Sequence, residues 1–228
     1  MLKAVLFDLD GTLANTDPIH FQVWQTLLAP YGMTVDQEFY DRHISGRLNP
    51  DIVRDLLPQL SPAEGVTFSA DKEAQFRTMA ANQLQRMPGP SGFLHHIQQQ
   101  NYATALVTNA PRSNAEFMLQ TLALEGVFHP VIIADDLPKG KPDPLPYQTA
   151  LNQLGLQPDE ALVFEDSPTG VRAATAAGIP TIGVTSTHSN ATLCQFGAIF
   201  TIADFTDDRL LAYGAKSDRT TPSNPLSV

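Results

Sequence analysis

The chain predicts an α/β fold in which an all-helical segment is inserted after the first strand. Three observations carry this. A short apolar run at the N-terminus ends in two aspartates, Asp8 and Asp10. From residue 18 to about residue 87 the texture is helical, with no good buried strand. From residue 88 onward, short apolar runs alternate with amphipathic stretches of ten or so residues, the pattern of a parallel sheet covered on both faces.

Ala4–Phe7 reads as a fully buried strand, short, apolar and closed by turn residues. In the next segment Ile19, Val23, Thr26 and Leu27 recur at helical spacing, as do Ile52, Val53, Leu56 and Leu57. Pro58, Pro62 and Gly65 divide this segment into several helices. Pro88-Gly89-Pro90 punctuates the return to the sheet-forming part. The alternation then predicts helices over 93–100, 114–124, 146–154 and 170–177, and strands over 103–107, 131–134, 161–164 and 180–184. The expected organisation is a core of residues 1–16 and 88–213, an insert of residues 17–87 that moves as a lid on hinges near 14–16 and 87–91, and a polar, poorly ordered tail over 214–228.

Composition narrows the function classes. The 228 residues are 43% hydrophobic and 17% charged, a globular profile with enough chain for a sizeable core. A formal net charge of −10, with only 14 Lys and Arg and no basic run, argues against a nucleic-acid partner, because phosphate neutralisation needs clustered cations. One cysteine, Cys194, excludes an internal disulfide and a cysteine zinc site, and is expected to be a buried small hydrophobe. The N-terminus has no signal-peptide pattern, and no run approaches the ~18 apolar residues of a membrane span. A cytoplasmic protein without a membrane partner is expected, a monomer with a dimer as the alternative.

Chemistry is expected just past the strand ends, where open α/β sheets bind ligands. Residues i and i+2 of a strand point to the same side, so Asp8 and Asp10 converge on one small volume. Two carboxylates that close repel unless a cation or a shared proton lies between them. A hydrated Mg²⁺ held by carboxylates and a substrate phosphate resolves the conflict; a pair of solvated aspartates capping a turn is the alternative. The later strands end at Thr108-Asn109, at the loop Asp135–Pro142 that contains Lys139 and Lys141, and at Glu165-Asp166-Ser167. Carboxylates, a hydroxyl and a lysine together are the inventory for moving a phosphoryl group. A P-loop is excluded, since Asp135 stands where that motif needs Gly and Pro142 where it needs Ser or Thr.

Taken in order, four motifs resemble the haloacid dehalogenase (HAD) superfamily of phosphotransferases: Asp8-Leu9-Asp10-Gly11-Thr12, Leu106-Val107-Thr108-Asn109, Gly140-Lys141-Pro142, and Val163-Phe164-Glu165-Asp166-Ser167. The resemblance spans about residues 4–205 and implies a Rossmann-like parallel sheet, the HAD fold. It implies Asp8 as nucleophile forming an aspartyl-phosphate, Asp10 as general acid and then base, Thr108 as donor to a phosphoryl oxygen, and Lys141 as bridge between Asp8 and the phosphoryl group. It also implies a Mg²⁺ site from Asp8, the backbone carbonyl of Asp10 and Asp166, with Glu165 as ligand or neighbour, and Asn109 lining the site. Lys139 is expected to be a solvated surface charge. Asp10 disfavours a dehalogenase, since dehalogenases of this superfamily lack an aspartate there.

The helical insert resembles the superfamily's small C1-type cap, which closes over the site and reads the leaving group. His20, Arg47 and Lys72 are candidate substrate-binding residues, while Trp24 fits the cap's own core. Thr16-Asp17-Pro18-Ile19-His20 with Trp24 resembles the start of β-phosphoglucomutase and sugar-phosphate phosphatase caps. The other histidines, His43, His95, His96, His129 and His188, have no metal-ligand spacing and are expected on the surface or in the core. The expected activity is a Mg²⁺-dependent phosphatase of a small phosphorylated metabolite, a sugar phosphate or phosphoglycolate. A phosphomutase of the β-phosphoglucomutase type is the alternative. A non-enzymatic phospho-receiver domain is a remoter one, against which the insert and the motif order argue.

Overall fold

A computed structural model describes residues 1–210, so the tail expected over 214–228 lies outside the described residues. Among the described residues six parallel strands form one sheet: β1 (Ala4–Phe7), β2 (Ala103–Thr108), β3 (Val131–Ile133), β4 (Ala161–Glu165), β5 (Thr181–Val184) and β6 (Phe200–Ile202). Their order is β3-β2-β1-β4-β5-β6. The sheet therefore reverses direction of growth beside β1, and a crevice opens beyond the C-terminal ends of β1 and β4.

Strand β1 shows why an unbroken apolar run belongs at the centre. Val5 and Phe7 join one hydrophobic cluster, and Ala4 and Leu6 join the cluster on the opposite face. Phe7 sits in register with Phe164 of β4, and their rings stack at 5.4 Å. Helices cover both faces: α5 (Pro90–Gln99), α6 (Arg112–Thr121), α7 (Leu145–Leu154), α8 (Pro168–Ala176) and α9 (Asn190–Gln195), numbered after the four helices of the insert. Several begin with proline in the first turn, where the missing N–H costs no hydrogen bond.

The segment between β1 and α5 is all-helical: α1 (Asp17–Leu28), α2 (Gln37–His43), α3 (Asn49–Leu56) and α4 (Pro62–Gln83). Ser61 and Glu64 form a reciprocal capping box at the start of α4. Trp24, Leu28, Tyr40, Ile52 and Leu57 make a separate small core there, and Trp24 takes the packing role its spacing suggests. The two linkers joining this segment to the sheet run side by side. Asn15 N–H donates to Gln85 O (3.1 Å) and Met87 N–H to Leu13 O (2.9 Å). Gly89 has φ +84°, and a Cβ there would lie 2.5 Å from the backbone of Phe205, so only glycine fits this turn.

Three differences from the sequence expectation have local causes. Strand β6 and helix α9 are additional; at three and six residues they are too short to show periodicity. The strand expected over 131–134 ends at Ile133, because Ala134–Asp136 curl into a 3₁₀ turn. Cys194 is exposed rather than buried: on α9 it is Leu193 that turns to the core, and the Cys194 thiol lies 3.1 Å from Asn190 Oδ1. Among the described residues no helix is long and apolar enough to cross a membrane.

Candidate active site

The crevice at the end of β1 opens into a cleft of about 730 Å³ between the sheet's C-terminal edge and the helical insert. Asp8, Asp10, Thr108, Asn109, Lys141 and Asp166 line its floor, and His20, Arg47 and Lys72 line the insert side. Glu165 lies directly behind, with no exposed surface.

Lys141 organises the floor. Its loop brings it over β1 and β4, and its buried ammonium donates to Asp8 Oδ1 (2.7 Å), Val107 O (2.8 Å) and Glu165 Oε1 (2.5 Å). All three N–H bonds are used, which fixes the head group. Burial alone would push the Lys141 pKa down; the carboxylates of Asp8 and Glu165 outweigh it and hold the ammonium above its ordinary value. Asp8 feels the reverse balance. Burial raises it to about 7 against the pull of Lys141, and Glu165 and Asp10 add to the rise. Asp166 is likewise pushed well up by burial and by the charges of Asp8 and Glu165.

Three buried carboxylates facing one ammonium leave an excess of negative charge. Oxygens of Asp8, Glu165 and Asp166 all lie within 4.8 Å of one another. An all-oxygen, anionic donor set of this kind suits a hard divalent cation, and the residues present fit Mg²⁺. Glu165 differs from the other two. Its Oε1 accepts from Lys141 and from the Tyr147 hydroxyl (2.8 Å), and its Oε2 from Ser167 Oγ (3.2 Å). Both oxygens are engaged, which favours a supporting position over direct ligation. Burial and the Glu165 charge keep Tyr147 protonated as a donor.

Glycine makes room for this. A Cβ on Gly170, in the first turn of α8, would sit 1.9 Å from the Glu165 carboxyl carbon. Gly170→Ala should therefore drive Glu165 off Lys141 and lower stability by about 3 kcal/mol. An unchanged urea midpoint would contradict the packing described here.

Thr108 and Asn109 end β2 with different roles. The Thr108 oxygen accepts from Ala110 N–H (2.9 Å), which leaves its own O–H to donate into the cleft. Asn109 lines the cleft floor and also braces Lys141: its Nδ2 donates to Lys141 O (3.0 Å) and its Oδ1 accepts from Lys141 N–H (3.0 Å). Both ends of the amide are occupied by the lysine's backbone. Lys139 is exposed and pairs with Asp143 at 3.0 Å, as a surface charge.

On the insert side, His20 Nε2 approaches Asp10 Oδ1 at 3.7 Å, and the ring stacks on Phe76 with centroids 4.1 Å apart. Lys72 is buried, with its ammonium 3.0 Å from His20 Nδ1 and 2.9 Å from Glu73 Oε1. Arg47 donates to His43 O (2.9 Å) and pairs with Asp55, so its charge is already met on the insert.

Several cleft residues have no signal in sequence. Thr187, after β5, donates to Asp166 Oδ2 (2.5 Å), and Ser186 donates to Gly11 O, so this loop secures the first and fourth motifs together. His188, expected on the surface or in the core, lines the cleft instead, and burial lowers its pKa. Asp17 accepts from the Tyr40 hydroxyl at 2.8 Å. Glu73, Arg77 and Asn114 meet across the cleft although 37 to 41 residues separate the helices' partners.

The comparisons agree with this geometry. Residues 5–184 match the family model described as haloacid dehalogenase-like hydrolase. A validoxylamine A 7'-phosphate phosphatase of Streptomyces hygroscopicus subsp. limoneus is 33% identical over 209 residues, covering 92% of this chain and 97% of that protein. A phosphorylated carbohydrates phosphatase of Thermotoga maritima is 30% identical over 201 residues, covering 87% and 93%. The crystal structure of a HAD hydrolase, family IA, variant 3, from Entamoeba histolytica superposes with a TM-score of 0.84 at 26% identity, covering 93% of this chain and 99% of that one. With most of its length matched, and with the acidic cluster and its lysine at the sheet's switch point, the chain belongs to the haloacid dehalogenase-like hydrolase family.

Proposed function

We propose that the protein hydrolyses the phosphate monoester of a small polyhydroxylated metabolite, with Asp8 as nucleophile. The observation that carries this reading is the buried Asp8–Lys141–Glu165–Asp166 cluster at the floor of a cleft large enough for a sugar-sized leaving group. The relatives named above, which by name act on validoxylamine A 7'-phosphate and on phosphorylated carbohydrates, support the same class. Residues 17–87 are assigned as the cap over the leaving group.

In the first half-reaction Asp8 attacks phosphorus and the bond from phosphorus to the ester oxygen breaks. Asp10, partly exposed at the cleft floor, gives the leaving oxygen its proton. The Thr108 hydroxyl and the Lys141 ammonium meet the charge on the phosphoryl oxygens. Water then replaces the leaving group, Asp10 takes its proton, and attack on phosphorus returns free Asp8 and inorganic phosphate. Asp8, Asp166 and the Asp10 carbonyl would hold Mg²⁺, which when bound neutralises charge on the phosphoryl group; Glu165 supports Lys141.

The test is phosphate release from p-nitrophenyl phosphate and a panel of sugar monophosphates. Activity should disappear on chelation with EDTA and return with Mg²⁺. Full activity after exhaustive chelation would contradict the metal assignment. The phosphomutase reading is favoured by one feature, His20 beside Asp10, at a position that resembles the β-phosphoglucomutase cap hinge. Rapid conversion of β-glucose 1-phosphate to glucose 6-phosphate, primed by glucose 1,6-bisphosphate with negligible free phosphate, would establish it instead.

A further inference from the structure

Three cations reach the leaving-group half of the cleft from the insert: Arg47, Lys72 and Arg77. Arg47 is paired with Asp55. Arg77 donates to Asn114 Oδ1 (2.6 Å) and Ser113 Oγ (3.1 Å). Lys72 is the most buried of them, and its partner is Glu73.

Glu73 is unusually placed for a carboxylate. Its side chain is 13% exposed, on the cleft wall, and it ties three helices together. Oε1 accepts from Lys72 and from Asn49 of the insert, and Oε2 accepts from Asn114 Nδ2 of the sheet-bearing part at 2.5 Å. Burial would push its pKa up, but Lys72, His20 and the donated hydrogen bonds outweigh it and keep the group ionised. A fixed negative charge therefore stands beside the one deeply buried cation on this wall. A second phosphate on the substrate would meet a lysine already neutralised and a carboxylate of like sign. A hydroxyl would meet a good acceptor.

We propose that Glu73 is a specificity-determining residue: it reserves the leaving-group half of the cleft for uncharged, hydroxylated groups and rejects substrates carrying a second phosphate. Discrimination by an opposing charge is an economical device, since like-charge juxtaposition in a half-buried site is strongly unfavourable. The proposal rests on the phosphatase reading and sharpens it, because a mutase must grip a bisphosphate at this wall.

The test is equilibrium binding by calorimetry in an Asp8→Asn background with Mg²⁺. The probes are glucose 6-phosphate and fructose 6-phosphate, each against its 1,6-bisphosphate. With Glu73 present, each monophosphate should bind about tenfold or more tightly than its bisphosphate, the scale of a ~1.4 kcal/mol charge effect. Glu73→Gln keeps the shape and, on its one oxygen, the bond from Asn49; it gives up the bond from Asn114, because an amide nitrogen cannot accept, and it frees the Lys72 charge. It should bring the pair within about threefold, chiefly by tightening the bisphosphate. Glu73→Asp, which keeps the charge, should retain the preference. Parallel weakening of both ligands by Glu73→Gln would make the residue a brace only and overturn the proposal, as would a bisphosphate preference with Glu73 intact. Absence of phosphate release by the unsubstituted protein on every monoester would sink the phosphatase reading while leaving this affinity ratio as a separate result.

Discussion

Asp8→Asn should abolish turnover while leaving the protein at least as stable as the unsubstituted chain. The amide keeps the shape of the side chain but is a very poor nucleophile, and removal of a catalytic nucleophile costs about 10⁴-fold or more. The stability expectation runs against the usual rule that buried polar substitutions destabilise. Asp8, Glu165 and Asp166 share one buried volume with a single ammonium. Burial already raises Asp8 to about 7, so its ionised form is disfavoured where it stands. Removing that charge relieves repulsion and leaves Lys141 with Glu165. In EDTA the urea midpoint of Asp8→Asn should equal or exceed that of the parent, with p-nitrophenyl phosphate hydrolysis at background. Hydrolysis near the parent rate would remove Asp8 from the chemistry.

Lys141→Ala should have the opposite effect on folding. It deletes hydrogen bonds to Asp8, Val107 and Glu165 at 2.5 to 2.8 Å and leaves three buried carboxylates with no cation among them. Breaking a buried pair by removing one partner costs about 3–5 kcal/mol, a large share of the ~5–15 kcal/mol that holds a typical domain together. Turnover should fall by about 10³-fold or more, since the phosphoryl oxygens lose a fixed cation. Mg²⁺ should restore part of the lost stability. The double variant Lys141→Ala/Asp8→Asn should be more stable than Lys141→Ala alone, a non-additivity expected of groups in one network. Urea unfolding with and without Mg²⁺ measures all of this; a loss under ~1 kcal/mol for Lys141→Ala would show that the cluster is not electrostatically strained.

How much of this was legible in sequence follows from how locally each residue is determined. Asp8, Thr108, Glu165 and Asp166 stand at or just past the ends of buried strands, and parallel strands bring their C-terminal ends to one edge. Strand plus motif was therefore enough to gather them. Lys141 lies in a loop, and the Gly-Lys-Pro pattern singled it out from Lys139. Asn109 was visible as a residue of that edge, but its reciprocal bonds to the Lys141 backbone depend on how two loops meet. Glu73 was hidden for the same reason: beside Lys72 on a 22-residue helix it reads as one more solvated charge, and only the approach of α6 gives it Asn114. Thr187 and His188 follow β5, a strand end to which no motif pointed, yet Thr187 fixes Asp166. Short elements escaped as well, since three residues of β6 carry no period to read.

The phosphoryl group is expected to pass through Asp8 on its way to water. The most direct measurement is acid quenching of the enzyme during turnover of a good monoester substrate, followed by mass analysis of its peptides. The peptide that contains Asp8 should carry the added mass of one phosphoryl group, labile to hydroxylamine, and the same peptide in Asp8→Asn should carry none. Steady hydrolysis with no phosphorylated Asp8 peptide at any quench time, or the label on a different residue, would contradict it.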